Sequence, residues 1–334
     1  MIVRDKPSPF RMFFILRGSI LQRIYREFIF YILLATVVVV FYEDLFGIRS
    51  AAISLLPAEL FGFQLSALSS IHINPLPFDL LGLPLAIFLG FRNTVAYDRF
   101  GHCSKIWGDL IARCMDVSRQ CQTFIREEGP VRAGSGLADV RARMTYRAIA
   151  FAHALRHDLR GTDPGPDLKG LVTASEFEGS KRMSNKLSYL MLKMGADLKQ
   201  CLADKKIEPT NSNELDTSCS HMMQSAVECQ RIKSTPIPFA YTLLLNGTVY
   251  IYCFFLPVGI VGALGLMTPA VVGIVAYTFF GLDALAVELE QPFEMHNNCL
   301  PLDSFCNTIE INLRESVEDS RVVEPLRPVD FLIT

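Results

Sequence analysis

Four side chains able to hold a metal sit close together near the C-terminus: His296, Cys299, Asp303 and Cys306. Their spacings match no tight zinc pattern, and a polar loop followed by a helix accounts for them as well, so no metal is expected. His153 and His157 stand four apart, the spacing that puts two imidazoles on one face of a helix. Ala154 follows His153 where a zinc protease carries its general-base glutamate, which leaves a solvated or interfacial helix face as the reading. Asn246-Gly247-Thr248 fits the glycosylation triplet but lies inside an apolar run, where it carries no meaning. No phosphate-binding loop, nucleophile elbow or dinucleotide fingerprint occurs. Nothing here supports an enzyme, and no cofactor is expected.

Ionisable residues inside apolar runs are the other source of chemistry, because hydrocarbon tolerates them only where they do something. They are scarce: Asp79 near one mouth, and Asp283, Glu288 and Glu290 at the far end of the last run. Glu288 and Glu290, two apart on a helix, point different ways and read as a solvated or subunit-contacting face. An ion-coupled transporter carries a charge at mid-membrane, often beside a broken helix. Pro257 and Gly259 are placed to break the third apolar run, yet no charge stands next to them. A passive pore needs no such charge, since an apolar constriction gates by dewetting.

The stretch that must present such a constriction runs over 75–100, PLPFDLLGLPLAIFLGFRNTVAYDRF. Leu83, Ile87 and Phe91 recur every fourth residue and share one narrow helical stripe. Leu85, Phe88 and Leu89 lie on another side, and Gly82, Ala86 and Gly90 leave room for close neighbours. Either several copies of the chain turn this stripe to a common axis, or the stripe packs against other spans of the same chain.

Three further apolar runs accompany it: 28–42, extended backwards by Ile24 and Tyr25; 239–267; and 269–282. Four spans are therefore expected. The acidic Glu43 and Asp44 follow the first run, not a small-residue cleavage site, so a cleaved signal peptide is not expected. Half of the 334 residues are hydrophobic, mean hydropathy is +0.29, and the net charge of −2 offers no field for nucleic acid. The nine cysteines form no CxxC pair and read as reduced and mostly buried. Arg4, Lys6, Arg11, Arg17, Arg23 and Arg26 precede the first run, the segment 43–74 holds Arg49 alone, and 92–233 is rich in Arg and Lys. The positive-inside rule places both termini and the 92–233 block in the cytoplasm. Within that block, helical periodicity covers 103–125, 140–159, 168–177, 184–202 and 213–232, with almost no strand-like alternation. The fold class is an all-α membrane protein. Its expected divisions are 1–27, 28–99, 100–237, 238–290 and 291–334: a cytosolic start, two spans with their outer loop, a cytosolic helical region, two more spans and a cytosolic end.

At these residues a family resemblance appears. The runs LGLPLAIFLGFRNTVAYDRF (81–100), KIWG (105–108), STPIPFAYTLLL (234–245), LMTP (266–269), FFGLDALAVELEQPFE (279–294) and NNCLPLDSFCNTIEINL (297–313) resemble the bacterial bestrophins over nearly the whole chain. The resemblance implies a homopentameric ion channel of the bacterial inner membrane. Its partners are then small inorganic ions, lipid and its own copies, with no nucleic acid. Leu83, Ile87 and Phe91 then correspond to the hydrophobic neck of an axial pore, and Ile207 or Thr210 to a second, cytosolic constriction. Both anion and cation conduction occur in the family. A secondary transporter or a membrane-anchored helical signalling protein is the alternative. Animal bestrophins grip Ca²⁺ with a dense acidic run after the last span; in 291–303 only Glu294 and Asp303 are acidic, so Ca²⁺ gating is not expected. Topology is tested by tag accessibility in intact cells: a tag beside Ser135 should stay shielded and one beside Ser69 should be reached from outside, and the reverse pattern would break the four-span assignment.

Overall fold

The computed structural model describes residues 20–42, 76–127, 129, 131, 137–319, 321, 323–329 and 331–332, with the side chains of 76, 77 and 79 excepted. Arg4, Lys6, Arg11, Arg17, the segment 43–74 with Ser69, Ser135 and the side chain of Asp79 lie outside the described residues. Among those described, the chain forms helices and no strand, with only isolated bridges at Lys169–Val172 and Val329–Leu332. The helices are α1 (Leu21–Tyr42), α2 (Leu76–Phe124), α3 (Val140–Arg160), α4 (Gly165–Leu168), α5 (Ala174–Lys181), α6 (Lys186–Ala203), α7 (Pro209–Ser234), α8 (Phe239–Leu264), α9 (Thr268–Glu290) and α10 (Leu302–Ser316). They group into two compact units.

One unit combines α1, α2 as far as Tyr97, and α8 with α9. Among the described residues, three apolar stretches are long enough to cross a bilayer, in 21–42, 80–124 and 239–290, and the last contains both α8 and α9. This is a membrane protein. Its core is a four-helix seam: Ile24, Tyr31 and Ala35 of α1 meet Leu85 and Leu89 of α2, Val249 and Cys253 of α8, and Val272, Ala276 and Phe280 of α9. Tyr31 stacks on Phe280 with ring centroids 5.3 Å apart, and its hydroxyl donates to the Tyr250 carbonyl at 3.2 Å. Outside the seam, Phe30, Val40, Leu80, Phe254 and Phe255 stay exposed, as an apolar surrounding allows. Gly265, at φ 50° and ψ −126°, reverses the chain through a single turn between α8 and α9. Pro257 and Gly259 do not break the third run, because α8 is continuous across both. Gly259 instead clears space for the Phe78 ring, which a Cβ would strike. Neighbouring helices can hold a proline-bearing span together in this way.

The other unit contains α2 from Asp98 onward, α3 to α7 and α10. Its centre is α3, buried along almost its whole length and packed among α6, α7 and α10. Asp139 caps its start by accepting from the Arg141 amide, and Gly161 at φ 67° closes its end by donating to the His157 carbonyl. The helix expected over 168–177 is instead two short ones. Gly170 at φ 94° breaks it, and Thr173 starts α5 with a reciprocal capping box to Glu176. A periodic apolar pattern does not register a glycine whose backbone turns left-handed. All nine cysteines are buried and none forms a disulfide. Burial pushes the thiols of Cys219 and Cys306 up to about 12, which keeps them protonated.

Among the described residues, the charges buried in this core meet opposite charges. Arg147, buried, bonds Asp197 at 2.6 Å and also Glu176, while Arg143 reaches Asp197 at 2.8 Å. His153 and His157 are not a solvated face. His153 Nε2 lies 3.0 Å from Glu310, and His157 Nε2 lies 2.7 Å from Asp167. Sequence spacing identified the shared helical face but not the carboxylates of α10 and α4 that cover it. Burial pushes the Asp197 carboxyl up, but hydrogen bonds and charge from Arg143 and Arg147 outweigh it, and the net direction is down. The hydrogen bond from His153 holds Glu310 down, against burial and with help from Arg314. Groups held down stabilise the fold above the ordinary carboxylate range and lose that contribution as pH falls through their folded values. Thermal unfolding in detergent should therefore be flat from neutral pH to about 5 and decline below about 4. Asp197→Ala, which removes one of the two carboxylates that face the buried Arg147 and leaves Glu176 in place, should lower stability by about 1.5–3 kcal/mol at neutral pH.

Candidate pore-lining face

Along α2 two faces separate cleanly. Leu85, Leu89, Arg92 and Ala96 are buried and spaced four, three and four apart, a regular seam on a 3.6-residue helix. Leu83, Ile87 and Phe91 are 67 %, 48 % and 61 % exposed. Among the described residues, the other spans pack on Leu85 and Leu89 and leave this stripe open. Phe88, grouped with Leu85 and Leu89 by sequence, is exposed as well. Of the small residues beside the stripe, Gly82 meets Tyr252, whose hydroxyl would stand 2.7 Å from an added Cβ, whereas Gly90 has nothing within 4 Å. Just past Phe91 the polar side chains fold back on the helix: Asn93 donates to the Leu89 carbonyl at 3.0 Å and Thr94 to that of Gly90 at 3.1 Å.

Arg92 is the exception inside the seam. Its side chain is fully buried, and Nε donates to Glu290 at 2.9 Å. Its Nη1 donates to the Asn246 amide oxygen at 3.1 Å and pairs with Asp283. Glu288, on the same helix as Glu290, pairs with Arg23 of α1 at 3.1 Å. These two glutamates thus point different ways, but each meets an arginine of its own chain, which corrects the reading of a solvated or subunit-contacting face. Asn246 is the residue that sequence reasoning passed over. The available signal was an amide inside an otherwise apolar run, which must find a partner there.

The two candidates for a second constriction separate. Lys205 adopts φ 55°, the Lys206 amide donates to the Cys201 carbonyl at 2.8 Å, and this turn carries Ile207 into the core, where it is 3 % exposed. A side chain so enclosed by its own subunit cannot line a passage, so Ile207 is withdrawn. Thr210, in the first turn of α7 behind Pro209, is exposed. The C-terminal group does not converge. Cys299 donates to the Gln291 carbonyl, Cys306 to that of Ala152, Asp303 pairs with Arg156 at 3.0 Å and Arg160 at 2.7 Å, and His296 is exposed. Among the described residues no three His, Cys, Asp or Glu side chains gather as a metal site.

A family model described as bacterial/fungal bestrophin protein matches residues 1–315. A voltage-dependent anion channel-forming protein of Mesorhizobium japonicum is 34 % identical over 320 residues, 96 % of this chain and 93 % of the relative. One of the same description from Salmonella typhi is 33 % identical over 333 residues, 99 % and 98 % of the two chains. Among solved structures, a bacterial bestrophin homologue from Klebsiella pneumoniae superposes with a TM-score of 0.75 at 30 % identity, covering 89 % of this chain and all of that one.

The two faces of α2 should respond differently to truncation. Leu89→Ala should cost about 2–5 kcal/mol in unfolding experiments in detergent. Leu83→Ala, at an exposed position, should stay within about 0.5 kcal/mol.

Proposed function

The chain belongs to the bacterial and fungal bestrophin family, and we propose that it forms a homopentameric channel passing small monovalent anions of the chloride type along a shared axis. The observation that carries the proposal is the exposed stripe of Leu83, Ile87 and Phe91, backed by a buried seam on the same helix. Four spans per subunit, from α1, α2, α8 and α9, hold α2 in the bilayer of the bacterial inner membrane, with both termini in the cytoplasm. Five stripes facing inward stack three apolar rings about 6 Å apart, four residues at 1.5 Å rise each.

Such rings stabilise an ion only while water fills them. A narrow apolar neck wets and dries with small changes of radius, and conduction follows. The rings offer no fixed charge, so anion preference arises elsewhere along the path. The names of the relatives from Mesorhizobium and Salmonella support the choice of anion. Thr210 supplies the second, cytosolic ring: a hydroxyl can hydrogen-bond a passing anion as an aliphatic side chain cannot. No redox, acyl-transfer or phosphoryl-transfer chemistry is assigned to any residue.

Planar-bilayer recording of purified protein, with native mass spectrometry of the same sample, tests this reading. Five chains, ohmic single-channel current and a reversal potential near that of chloride in a KCl gradient are expected. The triple replacement of Leu83, Ile87 and Phe91 by Ala should raise the current at unchanged assembly. A stable monomer or dimer, or current indifferent to all three substitutions, would remove the axial neck.

A further inference from the structure

The apolar members of the α2 seam do not by themselves determine which way the neck stripe points. Leu85 and Leu89 are slippery contacts: rotated or shifted, leucines still find apolar neighbours among α1, α8 and α9. The guanidinium of Arg92 behaves otherwise. Its donors lie in a plane and need acceptors at set directions. Here those acceptors are Asp283 and Glu290, seven residues and so two helical turns apart on α9, with Asn246 of α8 as the third. Phe91 precedes Arg92 in sequence, so its side chain leaves the helix about 100° around from it. Slipping α2 by one residue would push the guanidinium into an apolar surrounding and strand two carboxylates.

We propose that Arg92 is the positioning residue of the neck: held by Asp283, Glu290 and Asn246, it sets the rotation of α2 and thereby aims Leu83, Ile87 and Phe91 at the axis. This rests on the axial-neck reading. A buried charge of this kind specifies register more than it adds stability, the role best attested for polar groups inside helical bundles. Glu288 does not share the clamp; its partner is Arg23, so α1 is tied to α9 separately.

The test reads rotation directly. Because the native cysteines are buried, single cysteines introduced at Ile87, Phe88 and Phe91 can be compared by their rates of modification by a water-soluble methanethiosulfonate, followed as block of the bilayer current. With Arg92 intact, Ile87→Cys and Phe91→Cys should react fast and Phe88→Cys slowly. Adding Arg92→Gln should reduce the difference between Phe91→Cys and Phe88→Cys by about tenfold or reverse it, as the single orientation gives way to several. Arg92→Lys, whose one ammonium cannot serve both carboxylates at fixed angles, should give an intermediate pattern. Asn246→Leu, which removes one acceptor and adds no buried charge, should shift the pattern in the same direction and serves as the readout if Arg92→Gln fails to fold. A reaction pattern unchanged in every variant that folds and conducts would overturn the proposal. The neck itself is judged separately by the alanine series with Arg92 in place: if that series alters current while the cysteine pattern ignores Arg92, the neck stands and the positioning role falls.

Discussion

A guanidinium among apolar helices has to be neutralised where it stands, because neither water nor a flexible stem can bring relief there. In the membrane unit that requirement falls on Arg92, and three helices answer it: α2 supplies the cation, α9 two carboxylates and α8 an amide. Apolar packing alone would let these helices slide, since one leucine replaces another at small cost. The ion cluster does not tolerate sliding, because each displaced partner leaves a bare charge in low dielectric. The clean division of α2 into a buried seam and an exposed stripe goes with this constraint.

The second unit applies the same rule. Around α3, buried cations are met by carboxylates: Arg147 by Asp197 of α6 and Glu176 of α5, and Arg314 by Glu310 one turn back on its own helix and by Asp319 just beyond it. At the C-terminal end of α7, Arg99 donates to the carbonyls of Ile232 and Thr235, which the last turn of that helix cannot satisfy internally. The result is a helical block with a paired, buried interior, at whose surface Thr210 is exposed. Burial keeps thiols of this core such as Cys219 and Cys306 protonated, and here as in the membrane unit the cysteines serve packing.

Local rules made several features legible before any coordinates. Fourfold spacing of Leu83, Ile87 and Phe91 placed them on one stripe, and the apolar runs lie along α1, α2, α8 and α9, though α1 begins at Leu21, α2 continues to Phe124 and α9 to Glu290, each beyond its run. Helical periodicity over 140–159 found α3, whose limits Asp139 and Gly161 set in the structure. The break at Gly170 was missed, because a backbone angle that only the folded loop imposes leaves no mark on hydrophobic periodicity. Ile207 was misplaced for a related reason: a left-handed Lys205 turned the chain inward, and nothing in the type of residue at 205 predicts that conformation.

By itself the sequence determined composition-level and period-level facts: an all-helical membrane chain, the stripe, the absence of enzyme motifs, and a family resemblance carried by ordered motifs. Periodicity says which residues share a face, since that depends only on 3.6 residues per turn. It does not say which face is buried, because burial depends on what another part of the chain brings opposite. Tertiary structure decided that Leu85 and Leu89 pack while Leu83, Ile87 and Phe91 stay open, that Glu288 and Glu290 meet arginines of their own chain, and that His153 and His157 lie against carboxylates. The hydrogen bonds of Arg92 join positions 154 to 198 residues apart. Contacts at that separation are made by the approach of whole helices, and no local pattern encodes them.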